Sequence, residues 1–173
     1  ADDKPVYAGQ AGNPTTTGKA AFDQWCNDVA GVNKKTLLPL QLTKSGGNVY
    51  TYDNSAFFPI DSTLWGNEGN PHNFPVTFEL HTKFVYLGGE VFTFTGDDDL
   101  WVFINKKLAI DLGGVHGAMN GQVDLDAKAS ELGIQKGQTY PLDFFFAERH
   151  TSESNFRIDT TIASFVDCGP VVQ

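Results

Sequence analysis

The chain has 173 residues, enough for one domain with a proper core, and carries 12 basic against 21 acidic residues for a net charge of −9. That balance argues against nucleic-acid and anionic-membrane partners, which want a basic footprint, and suits bound cations or neutral partners such as sugars. Fourteen Phe and 18 Gly beside a single Met point to strands joined by tight turns, hence to an all-β domain.

No apolar run approaches the length of a membrane span, which predicts no membrane insertion. Ala1-Asp2-Asp3 is compatible with a mature N-terminus left by cleavage. Cys26 and Cys168 lie near opposite ends of the chain, with no His or Cys cluster at zinc spacing around either. A disulfide tying the N-terminal to the C-terminal segment is the preferred reading in an exported setting; the alternative is two buried free thiols.

Residues 1–18, with Gly9, Gly12, Pro14 and Thr15-Thr16-Thr17, read as an irregular arm, and 19–173 as a single domain. Over 19–29 the spacing puts Ala21, Phe22, Trp25 and Val29 on one helical face, with Trp25 a core anchor. Residues 35–42 and 48–52 read as two strands flanking Ser45-Gly46-Gly47. A long polar loop over 64–73 follows, and its Trp65 and His72 either line a pocket or pack the loop onto the sheet.

From Phe74 the alternation strengthens through Val76, Phe78 and Leu80, then Phe84-Val85-Tyr86. After the turn at Gly88-Gly89, Val91–Thr95 is a strand leading into Gly96-Asp97-Asp98-Asp99, at once followed by the apolar run Leu100-Trp101-Val102-Phe103-Ile104. Adjacent carboxylates repel, so three in a row at a strand end read either as a site for a hard cation such as Ca²⁺ or as a solvated acidic turn. Asn105-Lys106-Lys107 turns that strand into a hairpin with 108–112, and the glycine-rich loop 113–117, holding His116, returns toward the acids. A short helix over 126–132, a strand over 140–147 buried on both faces, a loop over 148–155 and a last strand over 156–162 complete the chain. The reading is one domain of mostly antiparallel strands in two layers.

Three runs, Phe92–Asn105, Asp111–Gly117 and Leu142–His150, taken in order, resemble the fibro-slime domain, a family related to the PA14 domain of adhesins, toxins and glycosidases. Phe57–Asp61, Gly66 and His72-Asn73-Phe74 fit the same pattern, so the resemblance covers roughly 20–165. It implies a PA14-like β-sandwich or barrel with one or two short helices. It also implies a calcium-dependent, lectin-like module of a secreted or surface adhesin, extracellular and part of a larger multidomain protein.

In carbohydrate-binding members, two aspartates joined by a cis peptide hold one Ca²⁺, which ligates vicinal sugar hydroxyls. Counting back from Asn105, that pair falls on Asp97-Asp98, and Asp99 stands where many members carry Gly. Asp99 is then either an added ligand or an outward-facing charge. The family's second calcium loop corresponds to 148–155; the amide position falls near Arg149, so Glu148 or Asn155 would take over, with carbonyls from Thr151 to Glu153. Asp99, His116, Arg149 and His150 join the pair as candidate ligand-binding residues.

Two other classes compete. In one, the domain is a structural or protein-binding module of a surface fibre or matrix in which calcium only staples loops. In the other, Asp97, Asp98, Asp111 and Glu148 converge as glycosidase carboxylates. Neighbouring aspartates do not flank a scissile bond from two sides, which disfavours the enzyme.

Overall fold

Segments rich in aromatic and β-branched residues form the strands of the computed structural model, which describes residues 4–9, 16–149 and 151–167. In chain order these are β1 (Thr43–Gly46), β2 (Val49–Asn54), β3 (Val76–Val85), β4 (Val91–Gly96), β5 (Asp99–Ile104), β6 (Lys107–Leu112), β7 (Met119–Asp124), β8 (Thr139–Glu148), β9 (Phe156–Thr160) and β10 (Phe165–Asp167). Two helices accompany them, α1 (Lys19–Phe22) and α2 (Leu125–Leu132). One sheet has the order β1-β2-β9-β4-β7 and the other β10-β3-β8-β5-β6, and the strand pairs are antiparallel. This is the expected all-β sandwich.

The core lies between the sheets and is largely aromatic. Phe94 and Phe156 from the first sheet meet Phe144 and Phe146 from the second, with ring centroids 5.1–6.0 Å apart. Phe57, from the segment after β2, stacks on Phe156 at 4.3 Å. All five rings are fully buried. Offset and edge-to-face pairs of this kind add to the area term that drives burial.

Strands that follow one another in sequence change sheets repeatedly, and this positions the site. The connections β2→β3, β4→β5, β6→β7 and β8→β9 all cross from one sheet to the other. Register puts them at one end of the sandwich: Gly96 pairs with both Met119 and Phe156, Asn54 with Phe156, and Val76 with Glu148. Asp97 and Asp98 are the whole of the β4→β5 crossover.

Two expected elements differ. The helix over 19–29 is the single turn α1: Cys26 takes a left-handed φ of 53°, and the Asn27 side chain donates to the carbonyls of Asp23 and Trp25. The strand over 35–42 does not form, because β1 pairs with β2 only through 43–46; Leu38, Leu40 and Leu42 nevertheless pack against the core. The strand β10, along β3, had no sequence signal. Cys26 has no disulfide partner among the described residues, and Cys168 lies outside them. Burial pushes the Cys26 thiol up to about 12. Among the described residues no helix is long and apolar enough to cross a membrane.

His81 on β3 stands opposite Asp143 on β8, with Nδ1 2.8 Å from Asp143 Oδ1 and Nε2 3.6 Å from Glu79 Oε2. Those partners, Asp143 foremost, raise its pKa from 6.5 to about 9 against the opposing effect of burial. A raised folded-state pKa gives stability that is full below the unfolded value and lost as pH rises through the folded one. The urea midpoint should therefore fall between about pH 6 and about pH 9.5, and fall less in His81→Gln; equal falls in both proteins would remove His81 from the account. Phe156→Ala should cost about 3–5 kcal/mol in the same assay, and a loss below about 1 kcal/mol would mean the ring cluster is not the core.

Candidate metal centre

Three consecutive acids are buried here, which an acidic turn left to solvent would not be. Asp97 is 4%, Asp98 1% and Asp99 3% exposed. Burial of carboxylates is tolerated when backbone N–H groups and cations meet them, and each acid has such partners. Asp97 Oδ2 accepts from Asn155 N and from Asn155 Nδ2, both at 2.8 Å. Asp98 accepts from His116 N at 3.3 Å and from Arg149 N at 2.9 Å. Asp99 Oδ1 accepts from Gly114 N at 2.6 Å.

The acids therefore fasten the two loops that close the same end of the sandwich, 113–118 and 149–155. The expected cis peptide is absent: no cis bond occurs among the described residues, and Asp98 instead adopts a left-handed φ of 54°. A left-handed residue breaks strand alternation, so Asp97 and Asp98 line one pocket across a trans bond. Asp is among the non-glycine residues most tolerant of that conformation.

Asp99 does not line that pocket and does not face outward. The Arg149 guanidinium holds its Oδ2 through Nε at 2.6 Å and NH2 at 2.5 Å. Burial raises the Asp99 pKa, and Asp98 adds to that, while the Gly114 N–H and Arg149 pull it down. The other side of the story is Trp25, whose ring lies 4.9 Å from Arg149 Cζ, a cation–π contact. Phe22 links Trp25, at 5.0 Å, to Trp101 on β5, at 5.6 Å. Trp25 thus anchors an arginine as well as apolar neighbours.

A small pocket of about 230 Å³ opens at the crossover, lined by Asp97, Asp98, Val115, His116, Gly117, Ser152 and Glu153. Asp97 Oδ1 is buried and has no hydrogen-bond partner. Of the residues expected at the site, Asp97, Asp98, Glu153 and His116 come together here. Glu148 and Arg149 line a separate groove, Glu148 with Oε1 taking the Arg149 N–H at 3.0 Å. Asn155 braces Asp97, Thr151 is exposed and outside the pocket lining, and His150 lies outside the described residues. The His116 ring is tied to its own loop, Nδ1 2.9 Å from the Gly117 carbonyl and Nε2 3.0 Å from that of Leu112. Ser152, inside the Thr151–Glu153 stretch expected to offer carbonyls, also lines the pocket, and Val115 and Gly117 are lining residues that sequence reading did not single out.

The lining suits a hard cation: it holds the carboxylate residues Asp97, Asp98 and Glu153 and the hydroxyl residue Ser152, with no cysteine. Among the described residues no group of three or more His, Cys, Asp or Glu side chains stands ready to hold a metal. Any ion here would draw on backbone oxygens and water beyond the aspartates, as calcium does. Trp65 is half exposed and away from this pocket, its Nε1 donating to the Val32 carbonyl at 3.2 Å and Lys34 Nζ 3.8 Å over its ring. His72 stacks on Phe58 at 3.8 Å and bonds Asp61 at 2.6 Å, so it packs its loop.

A model of the PA14 domain matches residues 43–169, which hold β1 through β10. The chain belongs to the PA14 domain family. Three Dictyostelium discoideum proteins are similar to this PA14 domain along nearly its whole length. Protein psiR is 41% identical over 97% of the chain, protein psiD 41% over 98% and protein psiQ 39% over 97%. The chain spans 18% of psiR, 18% of psiQ and 36% of psiD, so it corresponds to one part of those longer proteins. No solved structure matches it. PA14 is a family of binding and adhesion domains.

Gly96 ends β4 just before the acids, and a Cβ there would stand 2.3 Å from the Asn155 carbonyl and 2.6 Å from the Phe94 ring. Gly96→Ala should destabilise the domain by about 1–3 kcal/mol in urea unfolding. An unchanged midpoint would show that the crossover and the 149–155 loop are not packed this closely.

Proposed function

We propose that this domain is an extracellular carbohydrate-binding module of a surface adhesin, with Ca²⁺ held at the Asp97–Asp98 crossover. The observation that carries this reading is the buried, unpartnered Asp97 Oδ1 at a pocket it shares with Asp98, Ser152 and Glu153. A buried carboxylate oxygen without a donor is costly unless a cation meets it. Asp97 and Asp98 would hold the ion, with Ser152, Glu153 or loop carbonyls completing its oxygen shell. Bound there, calcium would offer exchangeable coordination positions to adjacent hydroxyls of a sugar. The protein's part is to fix the two aspartates through Asn155, His116 and Arg149 backbone groups and to leave the pocket open to ligand.

Net charge and fold support a neutral polyol partner over nucleic acid, whose phosphates the −9 chain would repel. Single-site affinity for such a ligand is low, and display in several copies on a larger protein raises it by avidity. A second reading draws on the loops: the same acids fasten residues 114, 116, 149 and 155, so calcium would staple this end of a structural module without binding sugar.

At about 100-fold excess over its dissociation constant, calcium should add about 2–3 kcal/mol of stability, read as a melting temperature that EDTA lowers. Asp97→Asn should abolish both that shift and calcium-dependent glycan-array signal. Melting indifferent to EDTA would refute the ion, and a calcium shift without any glycan signal would select the stapling reading.

A further inference from the structure

The arginine beside the acids has a role that the pocket alone does not assign. Three carboxylates stand in consecutive residues, yet only Asp97 and Asp98 line the pocket. Asp99 is turned to a different partner set: Gly114 N on one oxygen, and Arg149 Nε and NH2 on the other. Both members of that ion pair are largely withdrawn from water, with side chains 4% and 14% exposed, so solvent screens it little. The guanidinium is held in turn by the Trp25 ring at 4.9 Å. Arg149 also donates its backbone N–H to Asp98, so one residue grips both the pocket acid and its neighbour.

We propose that Arg149 is a positioning and affinity-setting residue, a resident counter-charge that neutralises Asp99 and leaves the pocket to the carboxylates that line it, Asp97, Asp98 and Glu153. This rests on the calcium reading above. Carboxylate count is a principal control on calcium affinity. An uncompensated Asp99 beside these lining acids would add negative charge and hold the ion more tightly, whereas its pairing with Arg149 lets the ion be released more readily. The planar guanidinium fork of Arg149 suits a carboxylate, so it fills this role where lysine would do so less exactingly. Trp25 places the setting under the control of the segment after α1, which shares no strand with the site.

The test uses opposite signs. Calcium affinity is measured by titration calorimetry, and apo stability by melting in EDTA, for the wild-type domain, Arg149→Gln, Asp99→Asn, the double variant and Arg149→Lys. Arg149→Gln releases one negative charge toward the pocket and should tighten calcium roughly tenfold, while Asp99→Asn leaves a positive charge there and should weaken it by a similar factor. The double variant restores the charge and should return close to wild type, and Arg149→Lys should stay close to it. In EDTA, Arg149→Gln should melt below the double variant, because Asp99 is then buried without its cation. Should Arg149→Gln fail to fold, the comparison of Asp99→Asn with the double variant still decides: recovery supports the counter-charge. Loss of affinity in both single variants without recovery in the double would reduce the pair to a structural brace and overturn the proposal. A wild-type domain that shows no calcium heat refutes the calcium reading itself, and this inference with it.

Discussion

Buried carboxylates at the β4→β5 crossover accept the backbone N–H groups of the loops that close one end of the sandwich, and much else follows from that bonding. A chain that leaves one sheet and enters the other must expose polar backbone where four such crossings meet. Those groups need partners once water is excluded. Asp97, Asp98 and Asp99 supply charged acceptors, which bind N–H groups more strongly than neutral ones. The arrangement concentrates negative charge, and the protein answers part of it with Arg149. What remains is directed at a small pocket of oxygen donors, which is where a cation would be accommodated.

The fold and the function sit on the same frame. Phe94, Phe144, Phe146 and Phe156 hold the sheets together close to the strand ends from which the acids and the 149–155 loop emerge. Gly96, packed against the Asn155 carbonyl, lets β4 come near enough to the returning loop for Asp97 to bond it. A rigid sandwich with its polar groups on short crossovers suits a binding module, since loops held by a packed scaffold present ligand groups with little ordering cost.

Strand alternation from Val76 to Ile104 and the double-sided apolar run at 142–147 made the sandwich legible, because period-2 patterning is the direct trace of a face buried on a core. The acidic run was legible as a site for the same reason it is unfavourable, repulsion between neighbours. Two predicted elements did not form as their spacing implied. The helix over 19–29 has the right apolar spacing but ends after one turn, where Asn27 competes for backbone carbonyls and Cys26 turns left-handed; periodicity does not register either effect. The leucines at 38, 40 and 42 alternate as a strand should, yet they pack without a ladder partner.

The pairing of Asp99 with Arg149 was hidden for a different cause. The two residues are 50 positions apart, and only the β5–β8 register, with Asp99 opposite Ala147, brings them together. Read locally, Asp99 was a ligand or a surface charge, and Arg149 a mismatch in the second loop. Joined, they account for each other's burial: the guanidinium meets the third acid, and the carboxylate meets the arginine. The cis peptide expected between Asp97 and Asp98 gives way to a left-handed Asp98 that brings both side chains to the pocket.

The most direct measurement is a crystal structure of the domain grown in calcium, with anomalous scattering used to place the ion. The account predicts a calcium peak in the pocket, coordinated by Asp97 and Asp98, with Asp99 still held by Arg149. A peak elsewhere, no peak at saturating calcium, or Asp99 in the coordination shell would contradict it.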